Sequence, residues 1–540
     1  MPRTERGTVN PECIPFSSIP HTTRLFDDFL HHFDKVNRFY ARAPLDEGWF
    51  KEERGRIDYP ESRRKAVAAV LEHQNSELSA GQKSLDNIQR LRQGAPVVVT
   101  GQQVGLFGGP LFCLLKAISV AQFAEKTGAV PLFWLASEDH DLEEINFINL
   151  AARDHLEKFT VNVAHKEDAP VGRIVFGDEI TAAVEQVEAL FGASETTGVL
   201  AASYGKGENF AGAFARFYAR VLGDLGIVFL NPLDVELHRL AQPLYRAAIE
   251  QSAEVNDALL ARERELESAG YHAQVKVTPS HTLCFYFQSG VRTPIRHDGE
   301  NFLVGENKLS RAELLGETER CPERFSANVL LRPVIEDYLL PTLAYLGGPS
   351  EIAYFAQVEA VYRRLSSRVT PVVPRIFATL IEPRPAKLLN RYQLKLPDIF
   401  AGPEKLKERI GAHVLPASVM KSFDDAGEHL DQDLEAIRRS LEKLDHTLAD
   451  AAANAGSKMS YQLQALRDKA SRAEARRSIE LQHHADELSL LLYPNKELQE
   501  REIGAAYFLL KHGLGLVQQL KHHLKFGCPD HQVVVLGADG

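Results

Sequence analysis

Three stretches of the 540-residue chain bring chemically capable side chains together. The first is Ser137-Glu138-Asp139-His140-Asp141, with Glu143, Glu144 and Asn146 close behind. An imidazole among carboxylates can act as a general base, the carboxylates orienting it or raising its pKa. Asp139 and Asp141 could bind Mg2+ or hold a substrate amine. The same residues would also make a solvated acidic loop at a helix start, where carboxylates are favoured. Asp139, His140 and Asp141 are the catalytic candidates, and Glu138 is a binding candidate. One histidine among carboxylates does not point to zinc.

The second stretch, Thr100-Gly101-Gln102-Gln103-Val104-Gly105-Leu106-Phe107-Gly108-Gly109, follows a β-branched run and precedes a helix opened by Pro110. Exposed backbone N–H groups and a helix dipole favour an anion or nucleotide there. Neither GxxxxGK[ST] nor GxGxxG occurs. Lys116, two turns into the helix, either reaches a phosphate or carboxylate or snorkels to the surface. The third stretch holds Asn328 and Arg332, then Tyr345-Leu346-Gly347-Gly348-Pro349-Ser350-Glu351-Ile352-Ala353-Tyr354. Its Gly-Gly-Pro pairs with Gly108-Gly109-Pro110, and both lack side chains where something must approach closely. Arg332 and Arg375 are either carboxylate or phosphate clamps or salt-bridge partners.

Positioning these loops requires a sheet. Pro96 to Thr100, the glycine loop, an apolar helix to about Lys126 with Gly128 at its end, and a buried run from Val130 to Ala136 make a βαβ unit of the doubly wound type. Gly226 to Leu230, Tyr345 to Pro349 and Val369 to Phe377 read as further strands. The expected α/β layout is core over 1–154, 226–254 and 331–382, broken by insertions at 155–225 and 255–330. The second insertion alternates and turns like a β structure. Within 383–497, Leu430, Leu434, Ile437, Leu441, Leu444 and Leu448 keep a heptad register, with a turn expected near Asn454 to Ser457. This predicts an antiparallel coiled-coil arm of the kind that serves assembly, or else two helices packed on a core. Residues 498–540 should hold one apolar helix over 501–525 and a strand docking on the core.

Lys458-Met459-Ser460 and His512-Gly513-Leu514-Gly515 look like synthetase signatures but are decoys: the first lies in the heptad region and the second lacks its second histidine. The formal net charge is 62 − 73 = −11, which argues against a general nucleic-acid binder. No apolar run reaches the roughly 20 residues of a membrane span, and no secretory signal opens the chain. The five cysteines are sparse, without a CxxC pair, as in reduced cytoplasmic proteins.

TGQQVGLFGGP, FWLASEDHDLEEIN and VLLRPVIEDYLLPTLAYLGGPSEIAYFAQ together resemble the bacillithiol biosynthesis cysteine-adding enzymes, the BshC-type cysteine ligases, over nearly the whole chain. The resemblance implies a Rossmann-like core related to class I synthetases, connecting insertions and a coiled-coil dimerisation domain. It implies addition of cysteine to the amine of glucosaminyl malate, with a homodimer as the working form. Thr100, Gly101, Gln102, Gln103, Gly108, Gly109, Glu138, Asp139, His140, Asp141, Asn328, Arg332, Gly347, Gly348, Glu351 and Tyr354 match the family's motifs. Forming an amide from a carboxylate calls for activation, for which ATP, with or without Mg2+, is the expected cofactor. The alternatives are another ATP-dependent nucleotidyl- or acyl-transferase on the same core, and a non-catalytic dimeric scaffold.

Overall fold

The β-branched run ahead of the glycine loop becomes the middle strand of a five-stranded parallel sheet. The computed structural model describes residues 12–46 and 48–537. The sheet strands are β1 (Val97–Gln102), β2 (Val130–Leu135), β3 (Val228–Leu230), β4 (Thr342–Gly347) and β5 (Val372–Pro374). Their order across the sheet is β5-β4-β1-β2-β3. Strands β2, β3 and β4 are buried along their whole length, as expected of a parallel sheet covered on both faces. Connections leave β1 towards β2 on one side while β4 lies on the other. The carboxyl ends of β1 and β4 therefore flank a topological switch point, the usual ligand crevice of open α/β sheets.

Helix α1 (Leu111–Thr127) joins β1 to β2. Pro110 is its N-cap, one position earlier than the sequence suggests, and Gly128 ends it at φ 66°, ψ 22°, the left-handed conformation that glycine adopts cheaply. Helix α2 (Val235–Glu250) follows β3, α3 (Arg332–Leu339) precedes β4, and α4 (Pro349–Leu365) follows it. The expected strand over Val369 to Phe377 is shorter, pairing only over Val372–Pro374, and Ala378–Ile381 then enters a different sheet.

Residues 281–327 form a separate antiparallel sheet around the hairpin of His281–Gln288 and Val291–Asp298. Residues 179–221 contribute helices that buttress the glycine loop. Tyr204 Oη accepts from the Gly108 N–H at 3.0 Å, and Tyr218 Oη donates to the Gly108 carbonyl at 2.8 Å. A Cβ on Gly108 would lie 2.7 Å from the Phe217 ring, and its φ is 87°, so glycine is required there on both counts.

The single helix expected over 501–525 is broken. Gly504 is extended (φ −64°, ψ 144°) and Gly513 has φ 75°, which leaves helices Gln499–Glu502, Ala505–His512 and Leu516–His523. Strand His531–Val535 pairs antiparallel with Glu12–Ile14, a strand absent from the sequence reading. This brings Cys13 Sγ within 3.1 Å of Cys528 Sγ, across 515 residues of sequence.

The chain divides into two units, one holding the core (residues 1–150, 156–379 and 500–534) and one made mainly of residues 380–499. In the second, α5 (Ala417–Glu442) and α6 (His446–Arg477) form a helical hairpin. Its turn falls at Lys443 to Asp445, not at Asn454 to Ser457, which lie inside α6. The reason is local: Asp445 caps α6 by accepting from Thr447 N–H at 2.8 Å, as N-cap carboxylates do. Gly456 instead lets α5 approach, since a Cβ there would meet Leu434 at 3.1 Å. Among the described residues no helix is long and apolar enough to cross a membrane.

Candidate active site

The carboxyl ends of β1, β2 and β4 open into a cavity of about 680 Å3. Its lining brings together residues from all three sequence stretches: Gly101, Gln102, Gln103 and Lys116; Glu138 and Asp139; Asn328, Arg332, Gly348, Glu351, Tyr354 and Arg375. Thr100, Gly108, Gly109, His140, Asp141 and Gly347 lie outside this lining. Thr100 donates its hydroxyl to the Leu346 carbonyl at 2.9 Å, stitching β1 to β4. Gly347 has no room for a side chain, a Cβ lying 2.9 Å from that of Glu351.

The glycine loop is itself well satisfied. The N–H groups of Gly105, Leu106, Gly108 and Gly109 bond to Gln103, Ile145, Tyr204 and Leu106, and the Leu111 N–H at the start of α1 bonds to the Ile503 carbonyl at 2.9 Å. Those donors are therefore not turned to the cavity. The amino end of α4 lines it instead through Gly348, Pro349, Ser350 and Glu351, with the Gly348 N–H already taken by the Glu351 carboxylate.

Lys116 is buried at 2 % exposure, not snorkelling. Its Nζ bonds the Gly101 carbonyl at 2.7 Å, Gln102 Oε1 at 2.9 Å and Glu351 Oε2 at 2.6 Å. Glu351 also accepts from Tyr345 Oη at 2.6 Å and from the Gly348 N–H at 2.7 Å. Burial pushes the Glu351 carboxyl up, but Lys116 and these donors outweigh it and hold it below the usual range. Burial lowers the Lys116 ammonium.

Arg375 is committed to Glu500, with Nη2 at 2.6 Å and both side chains almost fully buried. Its Nε has no partner, and a Cβ on Gly348 would come within 3.3 Å of that atom. Arg332 donates Nη2 to Tyr354 Oη at 2.7 Å, and its Nε faces Glu336 Oε1 at 3.7 Å, an ion pair too long for a hydrogen bond. Burial raises the Glu336 carboxyl to about 7, against the opposing pull of Arg332. Asn328 Oδ1 accepts from the Leu330 and Leu331 N–H groups at 3.0 Å each, fixing the turn into α3.

In the acidic loop, Asp139 Oδ1 accepts from the His140 N–H at 2.8 Å and Oδ2 from Gln103 Nε2 at 2.9 Å. Gln103 also donates to Glu144 at 2.7 Å, so the first two loops are tied together. His140 Nδ1 faces Arg292 Nη1 at 3.3 Å. Asp141 is exposed. Among the described residues no group of three or more His, Cys, Asp or Glu side chains could hold a metal ion.

Sequence reasoning missed Arg292, Phe285 and Arg501, all of which line the cavity. Arg292 sits in the inserted antiparallel sheet, stacks 3.9 Å over Phe285, and bonds Ser326 Oγ and the Ala327 carbonyl at 3.0 and 2.6 Å. Its signal was an arginine in an alternating strand, Val291-Arg292-Thr293, on the face that turns inward.

A Rossmann-like parallel core with a long inserted β segment and a separate helical hairpin unit defines a two-part architecture of Rossmann-like and coiled-coil domains. Two family descriptions match it: "Bacillithiol biosynthesis BshC, N-terminal Rossmann-like domain" over residues 10–376, and "Bacillithiol biosynthesis BshC, C-terminal coiled-coil domain" over residues 378–536. The chain belongs to the bacillithiol biosynthesis BshC family. A relative from Koribacter versatilis, named "Putative cysteine ligase BshC", is 45% identical, with 97% of this chain and 99% of the relative covered. Relatives of the same name from Solibacter usitatus and Geobacillus thermodenitrificans are 34% and 28% identical, over 97% and 96% of this chain and 99% of each relative.

Proposed function

We propose that this protein is a cysteine ligase that joins the carboxyl of cysteine to the amine of glucosaminyl malate, in the cytoplasm. The observation that carries the reading is the single cavity in which proton acceptors and anion-binding groups face one reaction space. Glu138 and Asp139 stand at the end of β2, and Arg332, Arg292, Arg501 and the amino end of α4 stand around it. An amine nucleophile needs the first set, and a dianionic malate group needs the second. The names of the relatives support the same reaction class.

ATP is the proposed source of activation. The space above Gly348, with Ser350 at the start of α4 and Arg501 beside it, offers a place for phosphate oxygens. Gly348, Ser350 and Arg501 would hold the nucleotide, and when bound it would convert the cysteine carboxylate into a competent electrophile. Lys116 and Glu351 keep the loop after β1 and the start of α4 at fixed separation. Gln103 and Asp139 hold the acidic loop against the same opening.

The working form is a homodimer built through the helical hairpin. Ile437, Met459, Tyr461 and Leu466 leave large apolar surfaces exposed on it, at 51%, 50%, 70% and 57%, more than isolated surface residues require. Deleting the gene and profiling the low-molecular-weight thiols of the cell tests the function. The reading predicts loss of the cysteinyl amino-sugar thiol with accumulation of its free-amine precursor. An unchanged thiol profile contradicts it.

A further inference from the structure

Behind the cavity, Glu138 meets a buried imidazole that none of the roles above uses. Glu138 follows β2 and lines the cavity, and its Oε1 has no hydrogen-bond partner. His238, on α2, is 2 % exposed, and neither ring nitrogen makes an aligned hydrogen bond. The Phe325 backbone makes a polar contact with the ring that favours its protonated form. His238 Nε2 stands 3.4 Å from Glu138 Oε1. Between them and Trp134, Tyr245 and Arg332 is a void of about 10 Å3, close to the smallest space that admits one water. Two unpartnered polar side chains facing each other in a dry wall are costly unless they do something.

The other candidate bases are already occupied. Both Asp139 oxygens accept hydrogen bonds, from His140 N–H and Gln103. The His140 Nδ1 lone pair faces the Arg292 guanidinium, and His140 and Asp141 lie outside the cavity lining. Glu138 alone in the acidic loop combines access to the cavity with an unoccupied buried oxygen.

We propose that Glu138 is the base that takes a proton from the ammonium group of the acceptor, and that His238 is a positioning residue that steers the carboxylate from behind through its Nε2–H. The inference rests on the ligase reading and assigns its proton-transfer step. One ammonium N–H bond breaks and an O–H bond forms on Glu138. The electron pair left on nitrogen makes the C–N bond to the carboxyl carbon activated by nucleoside triphosphate. The C–O bond to the leaving group breaks with its pair on oxygen, and the second nitrogen proton passes to water.

The surroundings suit this task. Burial raises the Glu138 carboxyl to about 7, with Arg292, Arg173 and Arg332 pulling the other way and the Tyr245 phenol close by. A base is most effective when its pKa lies near the working pH. Burial and Arg173 push His238 down to about 4, with Phe325 and Asp234 opposing. Near neutrality His238 is thus uncharged with a single N–H, which the proposal places on Nε2, and Glu138 carries the titration.

The test compares wild type, Glu138→Gln, His238→Phe and the milder His238→Gln, all checked for native circular dichroism. Each is assayed from pH 6 to 9 with cysteine, glucosaminyl malate and ATP. Glu138→Gln is expected to lower kcat about 100-fold with little change in KM and to abolish the ascending limb near pH 7. His238→Phe is expected to move that limb to higher pH, because the carboxylate loses a donor, with His238→Gln shifting it less. A purely structural His238 would reduce active enzyme without moving the limb, and that outcome overturns its positioning role. An active wild type beside a Glu138→Gln variant within threefold of it overturns the base assignment while the ligase reading stands. A wild type that forms no product overturns the ligase reading and this assignment with it.

Discussion

Lys116 Nζ and Glu351 Oε2 meet at 2.6 Å beneath the cavity and tie the helix after β1 to the helix after β4. The pair spans the switch point of the sheet. It couples two glycine-rich turns that lie more than two hundred residues apart in sequence, and it holds open the space between them.

Removing one partner of that pair leaves the other charged and buried. Lys116→Met should lower stability by about 3–5 kcal/mol, read as a fall in denaturation midpoint. The double variant Lys116→Met/Glu351→Gln should lose less than the sum of the single losses, because both replacements are neutral. Additive losses would mean that the contact carries no coupling.

Glu138 also sets a pH dependence of stability. Its native carboxyl is raised from the ordinary 4.5 to about 7, so between those values the native state holds a proton that the unfolded chain has released. The stabilisation is complete below 4.5 and is lost as pH rises through about 7. Relative to wild type, Glu138→Gln should gain about 3 kcal/mol between pH 4.5 and 7 and stay level above. Urea unfolding across that range checks it, and a flat difference would show that Glu138 titrates normally.

Arg292 links the inserted β sheet to the acidic loop through a forked set of contacts with Ser326, Ala327 and His140. Lysine keeps the charge but not the fork. Arg292→Lys should cut kcat/KM about 10- to 100-fold, as the loop shifts with the loss of one or two charged hydrogen bonds, and lower the unfolding midpoint at the same time. Unchanged kinetics would place the residue outside the reaction.

The hairpin of α5 and α6 should carry the dimer. In sedimentation velocity the wild type is expected to run as a dimer, and Ile437→Glu combined with Leu466→Glu as a monomer without loss of helical signal. A dimer that survives both charges would have its interface elsewhere.

The sheet was legible because β1, β2 and β4 are apolar runs bounded by glycine and proline, and the three loops at their ends stand out by residue type. The arm was legible in type but not in register. Leu444 and Leu448 continue the leucine spacing into and past the real turn, which Asp445 imposes through its cap, and Leu444 is 76% exposed. Arg375 could not be assigned from sequence, since its partner Glu500 comes from a distant segment. The same holds for Cys13 and Cys528, and for His238, whose approach to Glu138 depends on how α2 packs under the sheet. Pattern reports local periodicity, whereas these pairings are products of the chain's return.

The most direct measurement is made on the purified protein with cysteine, glucosaminyl malate and ATP under reducing conditions with Mg2+, followed by mass spectrometry. The account predicts a new amide whose mass equals the two substrates less one water, formed in step with nucleotide cleavage. Folded protein that neither forms this amide nor cleaves nucleotide when both substrates are present would contradict it.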